Sequence, residues 1–382
     1  MSKKYVIFCL LAIIALATFF RLWQIKTIPP GFYPDEAMNG NNAMEAWDSG
    51  NFKVFYPENN GREGLWINMI APFIAVFGNE PWVPRTIAAI FGILTVLGLF
   101  LLTRELFCIN PKSEIRNPKQ YQNPNAQNPK WFGILNFRNW NLFGNWKLEI
   151  RNLKERLTSP EIFLLSWFSI MLIPTVISNE GIPHALRSLA VVPAVMIFAA
   201  LGLEEIIKKI SDWLQRTSEQ FPEKIKQMPR IKKELIVLLF LFLASIASQT
   251  FNQYFFRWAS NPNVANAFSE NYVEIGKYLN TLAKEIPKYV IVNAEGVDVR
   301  GIPVPSQTVM YITKTFLPLE QKEKNIFYIL PKNLNSFIQE VNQKDHFYIT
   351  MLENDFQLYL LLKDKIPNLK MDTSQGLVVL YR

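Results

Sequence analysis

A series of long apolar runs separated by charged segments is the feature that most limits what this chain can fold into. Uncharged runs of this length are typical of helices that cross a membrane. Six segments fit the description: Tyr5–Phe20, Leu65–Gly78, Pro81–Leu102, Glu161–Ser178, Ala185–Leu203 and Leu235–Phe251. Of these, Leu65–Gly78 is short for a span. The sequence predicts a polytopic α-helical membrane protein with about six spans.

The first run has one alternative interpretation, a cleaved signal peptide. Lys3 and Lys4 precede it, and Ala15-Leu16-Ala17 resembles a cleavage site. The run continues past that site to Trp23, an aromatic residue typical of the membrane interface, which favours a retained membrane helix.

The distribution of charge predicts which loops face the cytoplasm. The chain carries a net charge of +8, concentrated in segments 104–160 and 204–234, and basic loops beside apolar spans are typical of the cytoplasmic side. The loop at 24–65 is acidic, so we expect it outside the cytoplasm. The loop at 24–65 lies outside and 104–160 inside at the same time only if Leu65–Gly78 does not cross or a crossing has been lost nearby. No segment has the pattern of a nucleic-acid-binding surface.

The rest of the chain divides into recognisable regions. The N-terminal membrane region is 1–107, and the later membrane helices occupy 161–254. Between them, residues 108–160 form a basic, low-complexity insert in which Asn-Pro dipeptides recur and Glu-Ile-Arg-Asn occurs twice.

Residues 262–382 have the alternating pattern of a soluble α/β domain. Helical spacing occurs at Phe268–Ala283, and weaker helical patterns lie near 334–342 and 354–362. Strand-like runs occur at Tyr289–Val292, Val309–Ile312, Ile326–Leu330, Phe347–Met351 and Leu377–Tyr381. The fold class predicted is therefore a helical membrane region with a C-terminal soluble α/β domain.

Two adjacent acids follow the first span. Asp35 and Glu36 belong to Pro29-Pro30-Gly31-Phe32-Tyr33-Pro34-Asp35-Glu36-Ala37, whose three prolines and one glycine cannot continue a helix. The backbone should turn there and present both carboxylates at the membrane surface, in what we take as a catalytic loop at 24–65. Like-charge repulsion between neighbours can raise one of the two pKa values. The alternative is a solvated turn, because loops are generally polar.

Further ionisable residues stand at other membrane boundaries. Arg62 and Glu63 lie in Gly-Arg-Glu-Gly-Leu-Trp, Arg85 begins a span, and His184 and Arg187 lie in Gly-Ile-Pro-His-Ala-Leu-Arg. Each has a structural alternative: Glu63 can cap a helix, Arg85 can snorkel to the interface, and His184 with Arg187 can be an ordinary helix start.

Together, these marks resemble one family. The chain resembles the polytopic glycosyltransferases of the C-type (GT-C) fold. The residues that carry the resemblance are Asp35-Glu36, Glu63, Arg85 in a span ending Thr-Arg-Glu-Leu-Phe, and the stretch 181–187. The similar branch contains the dolichyl-phosphate-mannose protein mannosyltransferases and the aminoarabinose transferase of lipid A. The resemblance covers 1–107 and 160–382. Family members have more spans, and the missing part falls where the insert lies, which brings activity of this shortened chain into question.

The resemblance implies transfer of a monosaccharide from a polyprenyl-phosphate carrier to a glycan, lipid or protein acceptor at the extracytoplasmic face of the cell membrane. Asp35 would take the proton of the acceptor hydroxyl, and Glu36 would orient Asp35 or a sugar hydroxyl. Arg187 and His184, with Arg62 and Arg85 behind them, would meet the phosphate, and Glu63 would also contact substrate.

No metal site is predicted. Some relatives with oligosaccharide donors hold a divalent ion with several acids, but here no third acid has a spacing that indicates such a site. The expected ligand is the lipid-linked sugar itself, and metal dependence stays open.

Two other classes of function also stay open. One is a non-catalytic membrane scaffold whose α/β domain binds glycans or partner proteins. The other is a transporter, which would be expected to place ionisable residues in mid-span, where these spans have almost none.

Overall fold

A computed structural model describes residues 3–107, 160–177, 185–220, 228–374 and 376–382. The insert predicted at 108–160, except for Pro160, lies outside the described residues, and so does His184. The chain divides into two compact units, one formed by Met1–Leu94 with Leu239–Arg382 and the other by Thr95–Leu238.

Five helices in the described part of the chain are long and apolar enough to cross a membrane, which indicates a membrane protein. They are Lys4–Leu22, Trp82–Phe107, Pro160–Ile177, Leu186–Thr217 and Lys233–Trp258. Little of any of them is buried inside the protein, as expected for helices whose surroundings are lipid. The remaining predicted segment, Leu65–Gly78, forms a helix of 14 residues, shorter than a span.

The N-terminal part of the first unit begins with helix α1 (Lys3–Leu22) and continues through α2 (Pro34–Ser49), α3 (Gly64–Phe77) and the start of α4 (Trp82–Phe107). A short antiparallel hairpin, β1 (Phe55–Tyr56) with β2 (Arg62–Glu63), joins α2 to α3.

The loop predicted at 24–65 is wrong for its central part, because 34–49 form α2. The turn itself is where the prolines indicated, and Pro34 occupies the first turn of the helix, where its fixed φ is favourable. Small residues then recur every three positions, at Ala37, Gly40, Ala43 and Ala46, and allow close packing. A Cβ atom on Gly40 would lie 2.3 Å from Cε2 of Tyr311, so α2 and the C-terminal region meet with no space for a larger residue.

The C-terminal region has a five-stranded mixed sheet. Its strands are β3 (Lys288–Ile291), β6 (Ile326–Ile329), β7 (Tyr348–Met351), β8 (Lys370–Asp372) and β9 (Val379–Tyr381). Their order is β6-β3-β7-β9-β8, with β3 parallel to both β6 and β7, and β9 antiparallel to β7 and β8. A separate two-residue hairpin pairs β4 (Asp298–Val299) with β5 (Ile302–Pro303). Four of the five predicted strands are confirmed.

Helices surround this sheet. They are α9 (Pro262–Ala267), α10 (Glu270–Thr281), α11 (Gln307–Thr313), α12 (Pro318–Lys324), α13 (Leu334–Val341) and α14 (Phe356–Lys365). The strand predicted at Val309–Ile312 is wrong, since this run lies in α11, all seven residues of which are buried. A short, wholly buried apolar run is compatible with either structure, and periodicity cannot separate them.

The second unit contains α5 (Pro160–Ile177), α6 (Ala185–Ser188), a 3₁₀ turn at Leu189–Val191 and α7 (Val192–Gln220). Nε1 of Trp167 on α5 donates to the carbonyl oxygen of Ala190 at 2.9 Å. The last long helix, α8 (Met228–Asn252), continues into a π-helical turn at Gln253–Trp258.

Candidate functional site

One side of α2 carries a row of polar side chains. Asp35, Asn39 and Asn42 are spaced four and three residues apart, which places them on the same helical face, and Glu45 follows three residues later. We call these four residues the polar row of α2. Side chains from the β1–β2 segment and from the β4–β5 hairpin contact this row.

Arg62, on β2, lies against the middle of the row. Its Nη1 donates to Oδ1 of Asn39 at 2.7 Å and its Nη2 to Oδ1 of Asn42 at 2.5 Å. Its Nε donates to the backbone oxygen of Glu58 at 3.4 Å. All three acceptors are neutral, and within the described residues Arg62 has no salt bridge.

Arg62 is half-buried, and the charges of two nearby acids act on it. Burial lowers the pKa of this guanidinium, and the charges of Glu58 and Asp35 act in the opposite direction. A half-buried cation that donates only to neutral oxygens can still gain considerably from a carboxylate or phosphate, because hydrogen bonds between charged groups are the stronger ones.

Asp35 lies in the first turn of α2 and is exposed. One of its oxygens, Oδ1, accepts a hydrogen bond from Nδ2 of Asn59 at 2.8 Å. The side chain is therefore held in place while its carboxylate stays open to solvent, as a base that acts on a bound molecule requires.

Glu36, by contrast, is paired. Nε of Arg85 donates to its Oε2 at 3.0 Å, and the same guanidinium donates to the backbone oxygens of Pro29 and Gly31 at 2.8 and 3.0 Å. Burial raises the pKa of Glu36; Arg85 opposes that effect and Asp35 adds to it. The repulsion expected between the neighbouring acids is thus present but smaller than the effect of burial. In this arrangement Glu36 and Arg85 hold the turn that leads into α2.

A third arginine, which the sequence analysis did not select, closes the far end of the row. Arg300 lies in the two-residue turn between β4 and β5 with φ of 55°. Its Nη2 lies 2.7 Å from Oε2 of Glu45 and 2.7 Å from Oε1 of Glu58, and its guanidinium stacks over the ring of Phe316 at 4.6 Å. It thereby ties the C-terminal region to α2.

The protonation of this cluster follows from its contacts. Burial by itself raises the pKa of Glu58, but hydrogen bonds and charge from Arg300 lower it by more, so the net direction is downward. Burial lowers the pKa of Arg300, and its bonds to Glu45 and Glu58 raise it beyond that. Both partners therefore stay charged at neutral pH.

Two other predicted residues make no described contact with this row. Glu63 is exposed in the hairpin and precedes α3, but its side chain makes no capping hydrogen bond there. Arg187 belongs to the second unit, on the short helix α6. The structure thus brings together Asp35, Glu36, Arg62 and Arg85 of the predicted residues.

The residues that sequence reasoning missed carried only weak signals. The dipeptide Arg300-Gly301 between apolar residues is typical of a tight hairpin turn, and the polar row of α2 has helical spacing. That Arg300 pairs with Glu45 and Glu58, more than 240 positions earlier, is a long-range contact that no spacing rule gives.

The chemistry available here is that of an exposed carboxylate close to a cation with neutral partners. Among the residues described, no group of three or more His, Cys, Asp or Glu is placed to hold a metal ion. The comparisons with family models, with curated proteins and with solved structures found no match to this chain.

Proposed function

We propose that this protein is a membrane glycosyltransferase that moves a monosaccharide from a polyprenyl-phosphate carrier to an acceptor hydroxyl. The observation that carries the proposal is that an exposed, held carboxylate at Asp35 and a half-buried Arg62 lie along the same polar row, and that within the described residues Arg62 donates to neutral oxygens. Both lie in the unit that contains α1 and the start of α4, two helices long and apolar enough to cross a membrane. The residues that resemble the GT-C family add to this support.

In the proposed reaction, the bond between the anomeric carbon and the phosphate oxygen of the carrier breaks while the acceptor oxygen bonds to that carbon. Asp35 takes the proton of the acceptor hydroxyl, and the electron pair of the broken bond stays on the lipid phosphate. Arg62 donates to that phosphate, and one such charge-assisted contact contributes about 1.5–3 kcal/mol. No residue forms a covalent intermediate.

Glu36 and Arg85 act as positioning residues in this scheme. Their ion pair and the two carbonyl contacts of Arg85 fix the turn before α2, and the direction of that turn sets where Asp35 stands. Arg300 has a similar role at the opposite end of the row, because its two glutamates hold α2 and the β1–β2 segment against the C-terminal region.

The proposed location is the cell membrane, with the polar row and the C-terminal region on the extracytoplasmic side. The basic segments 104–160 and 204–234 would then face the cytoplasm, in agreement with the rule that cytoplasmic loops are rich in Lys and Arg.

Replacement of Asp35 by asparagine is the direct test. The full chain is assayed in membranes supplied with a panel of polyprenyl-phosphate sugars carrying a radiolabel, and the label transferred to acceptors is measured. We expect Asp35→Asn to lower turnover by about 100-fold or more, the usual contribution of a general base. Asp48→Asn is the matched control, since Asp48 is an exposed acid in the last turn of the same helix. Equal loss in both variants would contradict the role of Asp35.

Arg62→Gln tests the phosphate contact separately. It should lower kcat/KM by about tenfold or more, the equivalent of 1.4 kcal/mol or above, while Arg62→Lys should recover part of the loss because it keeps the charge. An unchanged kcat/KM in Arg62→Gln would contradict a contact between Arg62 and the phosphate.

The second candidate function is a non-catalytic scaffold whose C-terminal region binds glycans or proteins. The ion pairs of Arg300 support it, because they hold that region against α2 as a rigid platform for a bound partner. If the wild-type chain transfers no label from any donor in the panel, the scaffold is the better description.

A further inference from the structure

Helix α3 is apolar on two opposite sides. Its inner side buries Ile67, Ile70, Ala71 and Ile74 in a core shared with α2 and with Tyr311 of the C-terminal region. Its outer side exposes Leu65, Phe73, Val76 and Phe77. A helix on the surface of a soluble domain would carry polar residues on that outer side.

The segment before α3 adds to the same exposed surface. Val54 is 91% exposed and Leu65 71% exposed, and Phe52 and Phe55 are also exposed. The backbone N–H of Gly64 donates to the carbonyl of Val54 at 2.7 Å, which places Val54 beside the start of α3. We call the combined surface the apolar patch, and it consists of Phe52, Val54, Phe55, Leu65, Phe73, Val76 and Phe77.

The patch is held rigidly. Nδ2 of Asn68 on α3 donates to the carbonyl of Lys53 at 2.9 Å, and the hydroxyl of Tyr56 donates to Oδ1 of the same Asn68 at 2.9 Å. Exposed apolar side chains on a fixed backbone cannot turn inward to escape water, so their exposure requires a covering partner.

Length and contacts argue that α3 does not cross the membrane. Its 14 residues extend about 21 Å at 1.5 Å per residue, less than the hydrocarbon thickness of about 30 Å. Ile67 in its first turn and Ile74 in its last turn belong to the same core as Tyr311. The whole helix therefore lies on the side of the C-terminal region.

We infer that α3 and the segment 52–55 lie on the membrane surface, with the apolar patch inserted among the lipids of the protein's own membrane. Continuity favours lipid over a protein partner, because α3 leads within a few residues into α4, a helix of membrane-spanning length that exposes Ile90, Phe91, Leu94 and Leu101. Lys26 lies at that junction, with its Nζ 5.1 Å from the centre of the Trp82 ring. In the proposed placement its charge would face the lipid phosphates. The inference does not depend on the chain being an enzyme.

Depth-dependent quenching tests this placement. The full chain, with Cys9 and Cys108 changed to serine, is reconstituted in phosphatidylcholine vesicles. Single cysteines are introduced and labelled with an environment-sensitive fluorophore, and the vesicles carry nitroxide lipids with the nitroxide either near the headgroup or near the end of the acyl chain. The positions are Val54→Cys, Leu65→Cys, Phe73→Cys, Leu94→Cys as the deep control in α4, and Leu319→Cys as an exposed control on α12.

Labels at positions 54, 65 and 73 should be quenched several-fold more by the shallow nitroxide than by the deep one, and label at position 319 by neither. Stronger quenching of position 73 by the deep nitroxide would mean that α3 crosses, and would overturn the inference. Quenching no greater than at position 319 would assign the patch to a protein partner and overturn it equally. Every site is exposed, so these substitutions leave the core intact.

Discussion

Replacing Arg85 with methionine tests how the turn before α2 is held. The side chain is only 11% exposed, and its guanidinium donates three hydrogen bonds, one to the carboxylate of Glu36 and two to backbone oxygens. Methionine keeps the apolar stem and removes all three. Breaking a fully buried ion pair costs about 3–5 kcal/mol, but the side chain of Glu36 is 35% exposed and water can solvate part of it. We therefore expect a loss near the lower limit, about 3 kcal/mol.

The loss is measured as a shift of the unfolding midpoint of the purified chain in detergent, followed by tryptophan fluorescence. At about 2–4 °C per kcal/mol for a unit of this size, the midpoint should fall by about 6–12 °C. Arg85→Lys is the matched control, because lysine keeps the charge but cannot reach Glu36 and both carbonyls with one planar group. It should lose about half as much.

A second substitution separates the charge of Glu36 from its hydrogen bonds. Glu36→Gln removes an ion-paired carboxylate in the wild-type background but an unpaired, partly buried one in the Arg85→Met background, so its effect on stability should be more favourable in Arg85→Met. Burial raises the folded-state pKa of Glu36 and Arg85 opposes only part of that effect, so the folded state holds the proton more firmly than the unfolded state. Stability should therefore fall as the pH rises above about 4.5 in wild type, fall more steeply in Arg85→Met, and lose this slope in Glu36→Gln.

Two results would refute this account of Arg85. One is a loss below about 1 kcal/mol in Arg85→Met, which is the size of an ordinary surface effect. The other is a pH dependence of stability that is no steeper in Arg85→Met than in wild type.

Two further predictions concern the far end of the polar row and the start of α3. Because the folded-state pKa of Glu58 is lowered, its pairing with Arg300 stabilises the fold fully above about pH 4.5 and is lost as the pH falls through the folded pKa. The difference in unfolding free energy between wild type and Arg300→Gln should therefore shrink on acidification, and a difference independent of pH would contradict the pairing. In Gly64→Ala, the new Cβ would lie 1.9 Å from the carbonyl oxygen of Lys53, so we expect a loss of about 1–3 kcal/mol in chemical denaturation. Gly98→Ala, with no atom within 4 Å of its Cβ, should show no loss; equal effects would mean that the close approach at Gly64 is not the cause.

The membrane helices and most strands were predictable because their signal is local. A run of apolar residues long enough to cross lipid, or a short β-branched run ended by turn residues, is visible without knowing its neighbours. The confirmed strands at Lys288–Ile291 and Tyr348–Met351, and the helix at Leu334–Val341, belong to this class.

Helix α2 and helix α11 were not predictable in the same way. Their hydrophobic surfaces are buried by contact with each other, because Gly40 leaves the space that the ring of Tyr311 fills. Taken alone, α2 is nearly as polar as a loop, and the Val309–Ile312 run is as compatible with a strand as with a helix. Tertiary contacts decide the secondary structure of both segments.

The same distinction between local sequence signals and tertiary contacts applies to the candidate site. The sequence alone determined that Asp35 and Glu36 follow a forced turn, and that Arg62 and Arg85 stand at the beginning of apolar helices, since proline, glycine and hydrophobic length act within a few residues. Only the tertiary structure decided that Arg85 pairs with Glu36, that Arg62 donates to neutral oxygens, and that Arg300 pairs with Glu45 of the polar row. The physical reason is that charge pairing depends on the distance between two groups in space. That distance is set by how remote segments pack together, and it cannot be read from the order of residues along the chain.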